Sequence, residues 1–248
     1  VAAHAQRLGI PATIVMPEGT PFNKVRRTEA FGARVIFRGD TLNAAEPFAY
    51  GMAKEHGLTF VHPYDDEEII AGQGSVALEM LEDVPDLDAI IVPIGGGGII
   101  SGIATAAKAI RPDIEIFGVE TEVYPSMYNV LNGLDEVLGG DTIADGIAVK
   151  SPGTITREIV RRLVDEIFVV SEASIEVAVQ SMLIEAKLLV EGAGATPLAA
   201  LQEHHERFAG KSVALVACGS NIDPRLLSSV LLRGMSREGH LARLRISI

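Results

Sequence analysis

The sequence predicts an α/β fold in which helices cover both faces of a parallel β-sheet. Short β-branched runs alternate with longer amphipathic stretches, as in strand–helix–strand units. One buried-looking apolar run leads directly into four consecutive glycines and then into a helical pattern. A chain of 248 residues is long enough for one large core or two modest ones. We expect two α/β lobes.

The expected strands are short segments that lie between helical patterns. They are Ala12–Met16, Arg34–Phe37, Thr59–Val61, Ala89–Pro93, Glu115–Glu120, Ile167–Val170 and Ser212–Ala217. A further strand is expected to open at residues 243–248, where polar and apolar residues alternate.

Capping residues mark several helix ends. Residues 1–9 are typical of the second half of a helix that ends at Gly9, so the chain is expected to begin within an element. The other expected caps are Asp40 or Thr41 for a helix ending near Gly57, and Ser171 or Ser174 for a long helix ending near Leu189.

Composition argues against several classes of function. The 21 basic and 33 acidic residues give a formal charge of −12, and no basic run is dense enough to follow a nucleic-acid backbone. The single cysteine, Cys218, cannot form an internal disulfide or a paired-thiolate zinc site, and it favours a reducing compartment. No segment approaches the roughly 20 uninterrupted apolar residues of a membrane span. We therefore expect a cytoplasmic protein with neither nucleic acid nor membrane as partner.

The glycine run follows the strand that ends at Pro93 and Ile94. Each glycine costs about 0.5–1 kcal/mol relative to alanine in regular structure, so four of them need a reason. Without Cβ atoms, the backbone amides of Gly95–Gly98 can converge on one anion, and the helix that follows adds its positive end. The pattern predicts a phosphate cradle. A tight strand-to-helix turn is the alternative, but one or two glycines would satisfy it.

The identity of the phosphate ligand is a separate question. No lysine follows the loop, which disfavours the nucleoside triphosphate motif. The dinucleotide motif G-x-G-x-x-G fails at Ser101, although Glu120 lies about 20 positions further on, where a ribose-binding carboxylate would stand. A dinucleotide is therefore the second choice.

Several further motifs extend the pattern over nearly the whole chain. They are GGGGIISG at 95–102, DTIADGIAVK at 141–150, KLLVEGAGA at 187–195 and ACGSNIDP at 217–224, with PYDD at 63–66 and AGQG at 71–74. Together, and in this order, they resemble the threonine dehydratase (threonine ammonia-lyase) and serine racemase branch of the fold-type-II enzymes that depend on pyridoxal 5′-phosphate (PLP).

The resemblance implies a two-lobed, tryptophan synthase beta-like fold. Residues 1–62 would be the remainder of the small α/β domain, and residues 63–248 the large domain that binds the PLP phosphate. The implied cofactor-binding residues are Gly95, Gly96, Gly97, Gly98 and Ile99 at the phosphate, Gly146 beside the reacting end, Glu191 near the ring, and Cys218 and Gly219.

Two of these residues also have ordinary structural explanations. Cys218 stands where relatives usually have a serine that meets the pyridine nitrogen, but it could equally be a small buried apolar residue at a strand end. Glu191 could be a helix-end carboxylate facing water, although its apolar and glycine-rich neighbours fit that poorly.

The resemblance also concerns a cation. Relatives bind a divalent metal through a strand-end glutamate, which Glu120 matches, whereas Ser126 stands where serine racemases have an aspartate. With one carboxylate fewer, a monovalent ion or water is the alternative to Mg²⁺.

The activity implied is PLP-dependent deamination of threonine, or of serine, to a 2-oxo acid and ammonia by α,β-elimination, in isoleucine biosynthesis and in a homo-oligomer (dimer or tetramer). The family's Schiff-base lysine motif does not occur in the sequence, so no catalytic residue is assigned, and Lys150 is the only substitute to test. This chain alone is therefore expected to be catalytically incomplete. The alternatives are a serine racemase and a non-catalytic protein that binds a phosphate ligand.

Overall fold

The computed structural model describes residues 1–20, 22–135 and 139–242, without the side chains of Asn23 and Asn43. The chain divides into two compact units, Val1–Val61 and His62–Ile248. The strand expected at residues 243–248 lies outside the described residues.

The first unit contains a two-stranded parallel sheet. Strands β1 (Thr13–Met16) and β2 (Arg34–Phe37) pair in register, with Thr13 opposite Arg34. The intervening α2 runs from Phe22 to Ala30, so the unit is a β-α-β crossover. Both predicted strands are confirmed.

Glycine caps end the other two helices of this unit. Helix α1 (Ala2–Leu8) ends at Gly9, whose φ is 66°, and α3 (Leu42–His56) ends at Gly57, whose φ is 64°. These left-handed angles are costly for residues with a Cβ atom. Thr41 caps the start of α3 by accepting the Ala44 amide at 3.2 Å. The caps predicted at Gly9, Thr41 and Gly57 are confirmed.

The strand predicted at Thr59–Val61 is wrong. The structure has irregular backbone there, although the segment is rich in strand-forming residues. A β-strand is stabilised by a hydrogen-bonded neighbour, and the described first-unit sheet consists only of β1 and β2. Local propensity does not supply such a neighbour.

The second unit is built on a four-stranded parallel sheet with the order β5-β4-β3-β6. The strands are β3 (Ala89–Pro93), β4 (Glu115–Thr121), β5 (Glu166–Val170) and β6 (Val213–Leu215). All five residues of β3 are buried, as expected for a central strand with helices on both faces. The parallel-sheet prediction is confirmed.

Alternate residues of the sheet enter two apolar clusters. Ile91, Phe117 and Val170 pack with residues of α8 (Glu172–Ile184) and α9 (Gly192–Glu203). Ile90 and Ile116 pack with residues of α4 (Glu67–Asp83) and α5 (Gly98–Ile110). This two-residue period places one cluster on each face of the sheet. The helices are α4 (Glu67–Asp83), α5 (Gly98–Ile110), α6 (Ser126–Asn132), α7 (Thr154–Leu163), α8 (Glu172–Ile184), α9 (Gly192–Glu203) and α10 (Pro224–Arg237), with single turns at Asp145–Ile147 and His205–Phe208.

Helix α8 is shorter than expected. Ser171 caps it as predicted, by accepting the Ser174 amide at 3.2 Å, but the helix ends at Ile184 rather than near Leu189. Lys187 has a left-handed φ of 59°, which ends helical geometry, and the Leu188 amide turns back to the Met182 carbonyl at 2.9 Å. The sequence did not indicate this helix end, because apolar residues continue beyond it at 188–190.

Parallel strands bring their carboxyl ends to one edge of the sheet. The glycine run follows β3, Glu120 and Thr121 end β4, and Cys218 follows β6. Ligands of open parallel sheets bind outside such an edge. Within the described ranges, none of the helices has the length and apolar character needed to cross a membrane.

Helix α4 offers a test of capping. The Asp66 carboxylate accepts the Glu68 amide at 2.9 Å and the Ile69 amide at 3.1 Å. We expect Asp66→Ala to lower the free energy of unfolding by about 1 kcal/mol, because two amides lose their acceptor. Urea denaturation measures this change. The control is Glu79→Ala at an exposed position of the same helix, and an equal loss in both variants would contradict the capping role.

Candidate active site

The glycine run is packed so closely that side chains would not fit. A Cβ atom at Gly96 would overlap the ring of Tyr64, and one at Gly98 would lie 2.9 Å from Tyr64 Cβ. At Gly97, φ is +95° and a Cβ atom would lie 2.8 Å from Thr156 Cβ. At Gly95 the neighbour is Ile147, whose Cα would be 3.2 Å away. Gly96, Gly97 and Gly98 are thus required on packing grounds, independently of any ligand, whereas the fit at Gly95 is tight.

Hydrogen bonds fix the orientation of the loop's peptides. The Gly96 carbonyl accepts the Thr156 hydroxyl at 2.7 Å and the Gly153 amide at 3.2 Å. Because C=O and N–H point in opposite directions across a planar trans peptide, the Gly97 amide points away from these two donors. The Gly96 carbonyl therefore faces α7, and the next amide faces the other side.

The start of α5 continues this row of amides. Ser101 is the first residue whose amide reaches an acceptor one turn back, the Gly97 carbonyl at 3.0 Å. The amides of Gly98, Ile99 and Ile100 precede that bond and stand at the helix N-terminus, where such groups lack intrahelical acceptors. A row of amides at the positive end of a helix is a site for an anion.

Tyr64 and Asp65 stabilise the conformation of the glycine run. The Tyr64 ring covers Gly96 and Gly98, and its hydroxyl donates to the Ser151 carbonyl at 3.2 Å. The Asp65 carboxylate accepts the amides of the first three α7 residues, Thr154 (2.8 Å), Ile155 (2.9 Å) and Thr156 (3.1 Å). These two residues therefore fix Thr156, which in turn fixes the Gly96 carbonyl.

A second group of predicted residues meets around Glu191. Glu191 precedes α9, and its amide donates to the Gly219 carbonyl at 3.0 Å. A Cβ atom at Gly146 would lie 3.0 Å from Glu191 Oε1, and one at Gly219 would overlap the same oxygen. The structure thus brings Gly146, Glu191 and the Cys218–Gly219 pair together, as the resemblance implied.

The loop of residues 142–149 touches both groups. Its residue Ile147 packs against Gly95, and its residue Gly146 lies next to Glu191. Gly146 is exposed, whereas Glu191 and Gly219 are half-buried. One loop therefore connects the glycine run with the Glu191 group.

Cys218 is held as a neutral thiol. Although the residue is exposed overall, the protein around its sulfur, and then the negative charge of Glu191, raise the pKa of the thiol above its ordinary value of 9.0. Thiolate is therefore scarce at neutral pH, which argues against Cys218 as a nucleophile. A neutral thiol remains available as a weak hydrogen-bonding group.

The predicted metal ligand Glu120 binds backbone amides. It is fully buried, and its two carboxylate oxygens accept the amides of Met127 and Tyr128, each at 2.8 Å. Burial raises the pKa of Glu120 to about 7, against the opposing effect of these amides. The described residues contain no group of three or more His, Cys, Asp or Glu side chains that could hold a metal. The cation site stays a prediction.

The lysines differ in their surroundings. Lys108 pairs with Asp165 at 2.9 Å, and Lys211 pairs with Glu115. Lys150 is exposed and directly follows Val149, whose side chain contacts Gly95. Because it follows Val149 in the chain, Lys150 stays the lysine to test as a substitute for the Schiff-base lysine.

Sequence reasoning missed the residues that support the site. Tyr64 and Asp65 belong to the PYDD motif at 63–66, but that motif does not indicate their contacts with Gly96 and α7. Thr156 carried no signal apart from its place near the start of a helix that follows a Ser-Pro-Gly turn.

The chain is similar to known proteins over most of its length. A family model described as "Pyridoxal-phosphate dependent enzyme" matches residues 1–219. An L-threonine ammonia-lyase of Thermotoga maritima is 43% identical over 241 residues, which cover 96% of this chain and 60% of the relative. One of Geobacter sulfurreducens is 45% identical over 251 residues, covering 100% and 62%. The chain thus spans about three fifths of the length of these relatives.

Solved structures show the same architecture. Maize serine racemase superposes with a TM-score of 0.85 at 34% identity, covering 97% of this chain and 75% of the other. The processed form of threonine deaminase isoform 2 from Solanum lycopersicum also gives a TM-score of 0.85, at 33% identity, covering 93% and 68%. The two proteins share a fold with this chain but differ in their named activities.

The glycine run can be tested with a matched pair of substitutions. We expect Gly97→Ala to lower the free energy of unfolding by about 3 kcal/mol, because the new Cβ atom meets Thr156 at a positive φ. Gly72→Ala is the control, because that helical glycine has open space around it and alanine should stabilise α4 by up to about 1 kcal/mol. Thermal and urea unfolding measure both. Similar stabilities for the two variants would contradict the packing argument.

The thiol can be tested through its pH dependence. A raised pKa leaves less thiolate below that pKa, so we expect Cys218 to react with iodoacetamide more slowly than free cysteine at about pH 8 and to accelerate at higher pH. Glu191→Gln removes a negative charge and should speed the reaction severalfold at the same pH. Intact-mass spectrometry follows the reaction at the single cysteine. Glu203→Gln, at the far end of α9, is the control, and equal rates in both variants would exclude the influence of Glu191.

Proposed function

Because the chain belongs to the pyridoxal-phosphate dependent enzymes, we propose that it serves the deamination of L-threonine, and secondarily of L-serine, to a 2-oxo acid and ammonia by α,β-elimination. The family and the fold-type-II architecture expected from the motifs are confirmed by the comparisons. The substrate is proposed from relatives that carry the name L-threonine ammonia-lyase at 43% and 45% identity.

The observation that carries the proposal is the fixed Gly96 carbonyl. With that carbonyl bound to Thr156 and Gly153, the amides from Gly97 to Ile99 form a row on the opposite side. Such a row fits a phosphate monoester and needs no counter-charge from a side chain. This arrangement supports the predicted phosphate-binding role of Gly97, Gly98 and Ile99, whereas the same role for Gly95 and Gly96 stays a prediction.

The Glu191 group fits the rest of the cofactor. Cys218 and Gly219 follow β6, which pairs with the strand that leads into the glycine run, and Gly146 lies beside Glu191. We propose that the Cys218 thiol meets the pyridine nitrogen. A neutral thiol with a raised pKa would not protonate that nitrogen fully, which suits elimination.

The glycine run and the Glu191 group would hold and orient the cofactor rather than transfer protons. When bound, PLP supplies the electron sink that makes the α-proton of an amino acid acidic. The amides would anchor the phosphate, and the Glu191 group would fix the plane of the ring. The α-proton needs a basic amine, and Lys150 is the lysine to test for that role.

Three alternatives to this function remain. A serine racemase is favoured by the likeness to the maize enzyme, at a TM-score of 0.85. A dinucleotide site is favoured only by the presence of a strand-end carboxylate, and Glu120 is fully buried and hydrogen-bonded to two amides. A protein that only binds a phosphate ligand is the third alternative.

Further parts of the proposal concern the whole protein. We propose that residues 63–248 are the large, phosphate-binding domain and residues 1–62 part of the small domain. A homo-oligomer in the cytoplasm is expected, as is a role in isoleucine biosynthesis. A Staphylococcus aureus relative, 44% identical, is named a catabolic threonine dehydratase, so the metabolic role needs its own test.

The proposal is tested by turnover of the full-length protein loaded with PLP. We expect L-threonine to yield 2-oxobutanoate faster than L-serine yields pyruvate, with a coupled reductase assay as the measurement. Gly97→Ala should abolish turnover because it distorts the row of amides, whereas Gly72→Ala should not change it. Equal rates on the two substrates, or faster formation of D-serine, would defeat the choice of threonine.

Binding separates the remaining alternatives. Titration with PLP, pyridoxal and NAD should show tight binding of PLP alone, because pyridoxal lacks the phosphate and NAD carries a bulky diphosphate diester in place of a phosphate monoester. Binding of PLP without turnover in the full-length protein would favour the ligand-binding alternative.

A further inference from the structure

The 142–149 loop links the two parts of the proposed cofactor site. Ile147 packs against Gly95 in the glycine run, and Gly146 lies beside Glu191. The Ile143 carbonyl lies so close to Gly192 that a Cβ atom there would overlap it. The position of this loop therefore sets the space between the phosphate end and the ring end of the site.

Glu172, the first residue of α8, accepts hydrogen bonds from the start of this loop. Its Oε1 accepts the Thr142 hydroxyl at 2.7 Å and the Thr121 hydroxyl at 2.5 Å. Its Oε2 accepts the Ile143 amide at 2.8 Å. One carboxylate thus ties the start of the loop to the end of β4.

The donors around Glu172 require a group that only accepts. The Thr142 hydroxyl oxygen accepts the Ala144 amide at 3.0 Å, and that of Thr121 accepts the Val123 amide at 3.3 Å. Each hydroxyl has one hydrogen, which is directed at Glu172. Two hydroxyls and one amide therefore converge on the carboxylate, and a side-chain amide could not accept all three.

We propose that Glu172 is a positioning residue that holds the 142–149 loop at the distance from the glycine run that a phosphorylated pyridine needs. This inference rests on the proposed function, since it places the ring between the glycine run and the Glu191 group. An acidic residue in the first turn also stabilises a helix in general. That ordinary role would leave ligand affinity unchanged, which makes the two roles separable.

The test compares two substitutions at Thr142 in the full-length protein. The probe is 4′-deoxypyridoxine 5′-phosphate, which carries the ring and the phosphate but lacks the aldehyde, so binding does not require a lysine. Thr142→Val removes the hydroxyl and should raise the Kd for the probe about tenfold, the factor that corresponds to about 1.4 kcal/mol. Thr142→Ser keeps the hydroxyl and should bind within about twofold of the unchanged protein.

Inorganic phosphate serves as the second probe. The glycine run is held by Thr156 and Tyr64 rather than by Glu172, so its affinity for phosphate should change less than about twofold in every variant. Glu172→Gln tests the same point without touching Thr142 and should also weaken only the ring-bearing probe. Glu158→Gln on the exposed surface of α7 is the matched control.

The outcomes separate this inference from the proposed function. Unchanged affinity of Thr142→Val and Glu172→Gln for the ring-bearing probe, or an equal loss of affinity for both probes, overturns the positioning role. Failure of the unchanged protein to bind the ring-bearing probe overturns the proposed function, and the positioning role with it. Calorimetric titration provides all of these constants.

Discussion

The hydrogen bond from the Thr156 hydroxyl to the Gly96 carbonyl, 2.7 Å long and buried, is the constraint on which the site depends. It fixes one peptide of a loop that glycine would otherwise leave conformationally free. Once that peptide is fixed, planarity sets the direction of the next amide, and the helix start sets the following ones. A glycine-rich sequence thereby becomes a rigid loop, as the proposed phosphate site requires.

Rigidity here comes from protein contacts rather than from a ligand. Tyr64 covers one side of the run, Ile147 contacts Gly95, and Thr156 fills the space at Gly97. Binding to a preorganised row of amides avoids the entropy cost of ordering a loop at the moment of binding. The glycine run therefore has two compatible explanations: close packing around Gly96, Gly97 and Gly98, and amides at the start of α5 that lack intrahelical acceptors.

The sequence allowed the local features to be predicted, but not the long-range ones. Gly9, Thr41 and Gly57 act as caps through their own backbone or nearest neighbours, so the local sequence was enough to predict them. Thr59–Val61 had suitable residues but does not form a strand, because pairing depends on a neighbour elsewhere in the chain. Thr156 and Asp65 lie 60 and up to 91 positions from their partners in sequence. No periodic pattern reports such distances.

Two carboxylates, those of Asp65 and Glu172, each order one segment near the proposed site by accepting several hydrogen bonds. Asp65 accepts three amides and thereby orders the start of α7, while Glu172 accepts two hydroxyls and one amide and orders the 142–149 loop. Each carboxylate accepts donors that would otherwise need water: first-turn amides of α7 at Asp65, and two hydroxyls and a loop amide at Glu172. Loops between strands and helices carry the proposed ligand contacts, and they are the parts of an α/β fold that the sheet holds least. Acceptor-only side chains at helix starts are therefore suited to positioning them, since a single carboxylate can restrain several donors at once.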